Sequence, residues 1–160
     1  MTVGELNVAS VDEAFAAFMG CCGSSRWADG MTAARPFASA DSMMVTGDVI
    51  WAALDRADWL EAFAAHPRIG DARARGEAAR EQAGAAGADD DVKRRLAERN
   101  RDYEDRFGYI FIVCASGKSA SEIVTILERR LSNDPARELP IAAEEQRQIT
   151  RLRLARLLDR

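Results

Sequence analysis

The sequence predicts an all-α protein: a single-domain bundle of about seven to nine helices over residues 1–160, with one extended apolar segment near 109–115. Three observations predict it. Apolar residues recur at the helical period through most of the chain. Helix-start signatures punctuate it, as at Asp58-Trp59-Leu60-Glu61 and at Ser119 with Glu122. The one short β-branched run, Gly108 to Ala115, has no second run to pair with, so it reads as an extended buried segment among helices.

The elements follow in order. Val11, Ala14, Phe15, Phe18 and Met19 share one helix face. Asp41 to Asp55 carries a stripe through Met44, Val45, Ile50, Trp51 and Leu54, with Gly47 as its weak point. Asp58 caps a helix that should stop at His66, because Pro67 disfavours α geometry at the residue before it. Glu77 to Ala86 and Asp90 to Phe107 are helical, parted by the turn-prone Gly87, and the loop from Asp71 to Gly76 is expected to be mobile. A helix opens at Ser119 and runs to Leu131, where Asn133-Asp134-Pro135 stops it. Glu138 to Leu158 closes the chain, with apolar positions at Leu139, Ala142, Ile149, Leu152 and Leu157. Arg35-Pro36-Phe37 is a turn whose arginine ties down a helix end, and Trp27, Trp51 and Trp59 are expected in the core.

Composition narrows the function. A chain of 160 residues with 48% hydrophobic and 30% charged residues is an ordinary globular protein. A net charge of −4, with acids interleaved among the bases, argues against nucleic acid. No segment approaches the roughly 20 apolar residues of a membrane span. No basic, apolar leader stands at the start, and Cys21, Cys22 and Cys114 follow no zinc or disulfide spacing. With a single histidine, a histidine-rich metal site is excluded. A metal-free protein of the reducing cytoplasm is the expectation, with its cysteines packed as small apolar groups.

That histidine is the foremost chemical candidate. His66, held in a stiff His-Pro corner, has an ordinary pKa near 6.5, suited to proton transfer around neutrality; a capping role is the alternative. Glu81-Gln82 pairs a carboxylate with an amide beside the small Ala83 and Gly84, a combination able to hydrogen-bond a polar heterocycle. Glu77, one turn before Glu81, reads as solvated. Arg153, on an amphipathic helix, either snorkels to water or, facing inward, clamps an anion. Gly117-Lys118-Ser119 lacks the upstream glycine of a P-loop, and no nucleophile elbow is present. The remainder is an acid–base kit with an anion clamp. The backbone of 109–115 needs partners, from a ligand, from flanking loops or from water.

Eight elements in order carry a resemblance. They are Cys22-Gly23-Ser24-Ser25-Arg26-Trp27; Ala34-Arg35-Pro36-Phe37; Trp59-Leu60-Glu61-Ala62-Phe63 leading into His66-Pro67-Arg68-Ile69-Gly70; Glu81-Gln82-Ala83-Gly84; Asn100 with Tyr103; Phe107-Gly108 and Phe111 to Gly117; Arg130-Leu131-Ser132-Asn133 with Glu138-Leu139; and Arg153-Leu154. Together they resemble the OHCU decarboxylases, which act on 2-oxo-4-hydroxy-4-carboxy-5-ureidoimidazoline in uric acid breakdown. The resemblance implies an all-helical homodimer that converts OHCU to (S)-allantoin and CO₂ without metal or organic cofactor. It implies His66, Glu81 and Arg153 as catalytic residues, and Pro67, Ala78, Gln82 and the main chain of Phe111, Ile112, Val113, Cys114 and Ala115 as substrate contacts. One position departs: the family commonly has serine where Ala78 stands, so a hydroxyl contact is lost. Two other readings remain open on the residues alone: a helical module that binds a small anionic ureide without turning it over, and a helix-turn-helix binder, which the charge disfavours.

Overall fold

The computed structural model describes residues 1–71, 76–85 and 89–159. Among these lie nine α-helices, one 3-10 turn and no strand, as an all-α protein requires. The helices are α1 (Val3–Val8), α2 (Val11–Cys21), α3 (Ser25–Ala33), α4 (Ala40–Ala53), α5 (Arg56–Ala64), α6 (Gly76–Glu81), α7 (Asp90–Phe107), α8 (Ala120–Leu131) and α9 (Pro135–Leu158). The 3-10 turn, Ala83–Ala85, follows α6. None of the helices is long and apolar enough to cross a membrane. Of the loop expected from Asp71 to Gly76, residues 72–75 lie outside the described residues, as does the Gly87 turn; Gly76 itself opens α6, which ends at Glu81 and gives way to the 3-10 turn before the expected Ala86. Two compact units divide the chain: Met1–Ala62 with Gln146–Arg160, and Phe63–Glu145.

In the first unit, short side chains start the helices. Thr2 and Glu5 form a reciprocal capping box on α1, as do Ser10 and Glu13 on α2, while Ser24 caps α3 and Ser39 caps α4. Helices α1 and α3 are additions to the expected set. Arg35 does tie down helix ends: its Nη1 donates to the α1 carbonyl of Leu6 (2.7 Å) and to Ala9 O (2.8 Å), and its Nε to Thr32 O. The core holds Leu6, Phe18, Trp27, Met31, Met43 and Leu154, each at most 1% exposed.

The expected face of α4 is rotated from the real one. Met43, Gly47 and Trp51 are buried, whereas Val45 is 58% exposed. Gly47 is the point of closest packing: a Cβ there would stand 3.3 Å from the Trp27 ring, and Gly47 O accepts from Trp27 Nε1 at 3.0 Å. Helix α5 begins three residues early, capped by Asp55 in place of Asp58, and the Asp55 carboxylate accepts from Asp58 N–H. Asp58 is itself buried beside Arg26. Trp59 is only half-buried, its Nε1 donating to Trp51 O. On α9, Leu152 is exposed and Leu154 carries the packing.

In the second unit, α7 and α8 bury a shared core. Leu96, Tyr103 and Phe107 of α7 meet Ile123, Val124 and Leu127 of α8. Each fully buried side chain of this size contributes about 1.5–3 kcal/mol. Gly108, at φ 81°, ends α7 in the left-handed conformation that glycine accepts most readily. Ser119 caps α8, its Oγ accepting from Glu122 N–H. Helix α9 starts at Pro135, not Glu138: proline suits the first helical position, where no N–H is needed, and Asp134 O receives Arg137 and Glu138 N–H. The Asn133-Asp134-Pro135 stop is therefore also a start. Pro140 consequently falls inside α9.

Candidate active site

His66 follows the last turn of α5, half-buried, its N–H bonded to Phe63 O at 3.1 Å. The chain then makes a tight turn in which Asp71 N–H donates to Arg68 O and Gly70 takes φ 84°. Three side chains pin this turn. Arg68 grips Glu104 of α7 through both Nε and Nη2, at 2.8 Å. Asn100 Nδ2 donates to Ile69 O, and Gln82 Oε1 accepts from Gly70 N–H at 2.9 Å. The His-Pro corner is thus a fixed mount, tied to the end of α6 through Gln82.

Glu81 is the last residue of α6 and is 6% exposed. Ala78 is half-buried one turn before it. Just beyond, Gly84 passes against the turn after the apolar segment: a Cβ there would lie 2.3 Å from Lys118 O. The Glu81 carboxylate is near enough to the Cys114 thiol to act on its charge. Cys114 is held above its ordinary pKa chiefly by burial, against the pull of Lys118. His66, Pro67, Ala78, Glu81, Gln82 and Phe111 to Ala115 therefore all belong to the second unit, and the His66 turn, the end of α6 and the apolar segment are linked by these approaches. Arg153 belongs to the first unit.

The apolar segment is neither helix nor strand, and its behaviour has a period of two. Phe111, Val113 and Ala115 pack in the α7–α8 core, while Ile112 and Cys114 turn to the alternate side. The main-chain bonds alternate too. Ile112 O accepts from Arg130 Nη1 at 2.6 Å, Cys114 N–H donates to Glu145 Oε2 at 2.9 Å, and Cys114 O accepts from Lys118 Nζ at 2.7 Å. Val113, 3% exposed, makes no main-chain hydrogen bond to any described residue. Cys114 spends both main-chain groups on its own protein, and Ile112 spends its carbonyl.

Arg130 anchors a buried polar cluster behind this segment. It pairs with Glu138 (Nε to Oε1, 2.7 Å) and lies over the Phe111 ring, 4.7 Å from its centroid. Tyr103 OH donates to Glu138 Oε1 at 2.5 Å, and Asn133 Nδ2 to Oε2 at 2.9 Å. Burial, with the Glu138 hydrogen bond, holds the Tyr103 phenol far above its ordinary pKa, so it stays a donor. Nothing in the sequence marks Glu145 for this role, and Lys118 stands out only in Gly117-Lys118-Ser119. Gly117, at φ 76°, precedes the lysine that bonds back to a carbonyl four residues earlier.

In the first unit, half-buried Arg153 stands on α9 one turn after buried Thr150. Its positive charge and the Thr150 hydroxyl both act on Cys22, yet burial dominates and pushes that thiol up to about 11. Cys21, Cys22 and Cys114 are all buried thiols outside any disulfide among the described residues. Cys22 should accordingly resist alkylation in the native protein at pH 8, and mass spectrometry after brief iodoacetamide treatment checks this. Between its ordinary pKa of 9.0 and about 11, the unfolded chain releases the proton while the folded protein holds it. Stability drawn from this site is complete below 9 and is lost as pH rises toward 11. Rapid labelling at pH 8 without unfolding would refute the assignment. No group of three or more potential metal-ligating side chains occurs among the described residues.

An all-helical chain that holds a histidine in a pinned corner and buries a glutamate in the same unit carries the groups of acid–base chemistry. The OHCU decarboxylase family model matches residues 7–155, and the chain belongs to that family. It is 39% identical over 147 residues to the uric acid degradation bifunctional protein of Arabidopsis thaliana, covering 87% of this chain and 45% of that protein. The chain thus spans about half the length of that relative. An OHCU decarboxylase of Haloferax volcanii is 26% identical, with 97% of this chain and 95% of that protein covered. A crystal structure of OHCU decarboxylase in the presence of (S)-allantoin superposes with a TM-score of 0.82 and 37% identity, covering 95% of this chain and all of that one.

Proposed function

We propose that this protein is a cofactor-independent decarboxylase that converts OHCU to (S)-allantoin and CO₂ in uric acid degradation. The observation that carries the reading is the 37% identity over 95% of the chain to an OHCU decarboxylase. The chemistry asks for little. Loss of CO₂ leaves an electron pair that must spread onto a neighbouring electronegative atom, so hydrogen-bond donors stabilise the intermediate. A proton must then reach one face of the carbon. His66 moves that proton from its pinned corner, Glu81 orients the imidazole or the ureido group, and Arg153 holds the substrate's anionic charge. The Val113 N–H and C=O form a donor–acceptor pair that suits a ureide. Pro67 and Gln82 are further substrate contacts in this reading, with Gln82 donating through Nε2 since its Oε1 is committed to Gly70.

We place the protein in the cytoplasm, supported by its three cysteines standing as thiols and not as disulfides among the described residues. It acts as a homodimer, supported by the exposed Val45 and Val49 one turn apart on α4. The single-domain reading, 1–160, is supported by the extent of the family match. Freshly generated OHCU mixed with the protein should yield optically active allantoin faster than the spontaneous reaction, followed by circular dichroism. A racemic product at the uncatalysed rate would favour the binding-module reading, which the missing hydroxyl at Ala78 keeps in view.

Arg153→Lys should weaken substrate affinity or turnover by about 1.5–3 kcal/mol, because an ammonium cannot reproduce a bidentate guanidinium. Arg151, exposed and paired with Asp48, serves as the control. Arg151→Lys should leave the kinetics near wild type. Equal kinetics in the two variants would remove Arg153 from the site.

A further inference from the structure

We propose that Glu145, together with Arg130, is a positioning residue that aims the main-chain acceptor and donor of Val113. The argument rests on peptide geometry. A trans peptide is planar, and its C=O and N–H point in opposite directions. Arg130 holds the Ile112 carbonyl at 2.6 Å. That fixes the plane of the 112–113 peptide and directs the Val113 N–H away from Arg130. Glu145 holds the Cys114 N–H at 2.9 Å. That fixes the 113–114 peptide and directs the Val113 C=O away from Glu145. Both bonds lie on one edge of the segment, so both Val113 groups are turned to the other. Lys118 extends the pattern by one peptide, holding Cys114 O and thereby directing Ala115 N–H. Charged partners grip the edge at each of these points, which makes the bonds short and the planes stiff. The proposal deepens the decarboxylase reading and rests on it for the statement that a ureide meets this edge.

Glu145 is the member to test, because Arg130 is also buried against Glu138 and its loss would destabilise the whole protein. Glu145→Ala releases the 113–114 peptide, whereas Glu145→Gln keeps an acceptor oxygen in place. Glu145→Ala should raise KM for OHCU about 10-fold with kcat within about 3-fold of wild type, the signature of lost substrate alignment and binding. Glu145→Gln should recover most of the affinity, and Glu144→Ala, next along the helix, should change neither constant. The Cys114 amide proton, read by ¹⁵N–¹H correlation spectroscopy, should move upfield and exchange faster in Glu145→Ala but not in Glu145→Gln. An unmoved Cys114 amide, or an unchanged KM beside a lowered melting temperature, overturns the proposal. If the wild-type protein fails to turn over OHCU, the decarboxylase reading falls, and the amide signals of the same variants still decide whether Glu145 sets the peptide.

Discussion

Replacing His66 by alanine or asparagine is expected to lower OHCU turnover by at least about 100-fold, the scale on which a general acid–base group contributes. The fold should survive. His66 is half-buried in a turn, its main-chain bond to Phe63 O does not need the imidazole, and the turn is held from outside by Arg68–Glu104, Asn100 and Gln82. Helix content and melting temperature should therefore match wild type while turnover collapses. Asparagine is the sharper variant, since it can hydrogen-bond but cannot carry a proton near neutrality. Near-wild-type turnover in either variant would remove His66 from proton transfer. A large fall in melting temperature would instead assign it a structural role.

The second large effect falls on stability. Arg130→Met should cost about 3–5 kcal/mol, because it leaves the Glu138 carboxyl without its guanidinium partner in a wholly buried site. The Glu138 side chain is 0% exposed and that of Arg130 6%. Tyr103 and Asn133 would still donate to Glu138, but two neutral donors cannot replace a guanidinium. Most natural domains hold only about 5–15 kcal/mol in reserve, so the variant should be close to unfolding at 37 °C. Removing both charges, in Arg130→Met with Glu138→Leu, should recover part of the loss, because the stranded carboxylate is gone. Urea unfolding of the three proteins measures it. A single-variant loss below about 1 kcal/mol, the range of a surface pair, would contradict the buried reading.

How much of this was legible in the sequence depends on the range of the interaction concerned. Helices with long apolar periods and local caps were readable: α2, α7 and α8 stand where their patterns put them. The box of Thr2 with Glu5 was a local signal overlooked in so short a helix, and Gly30 and Thr32 obscured α3, whose real cap is Ser24. The face of α4 was misjudged because a glycine scores as a weakness in any periodic count, yet Gly47 is where Trp27 packs. The His66 corner was legible because proline acts on its own neighbour. Arg130, Glu145 and Lys118 gripping the segment from Ile112 to Cys114 were not. A charged side chain that bonds a distant carbonyl looks, along the chain, like any solvated charge.

The segment from Phe111 to Ala115 divides its duties between two kinds of atom. Its side chains are buried, and its main chain at Val113 bonds to no described residue. Random substitution acts on side chains, and no exchange among valine, isoleucine, leucine or alanine can delete a peptide N–H. Such changes cost packing energy and leave the recognition pattern written in the backbone. Proline alone erases the donor. A binding edge of this kind is buffered against sequence drift, and can persist in lineages whose cores have been thoroughly rewritten.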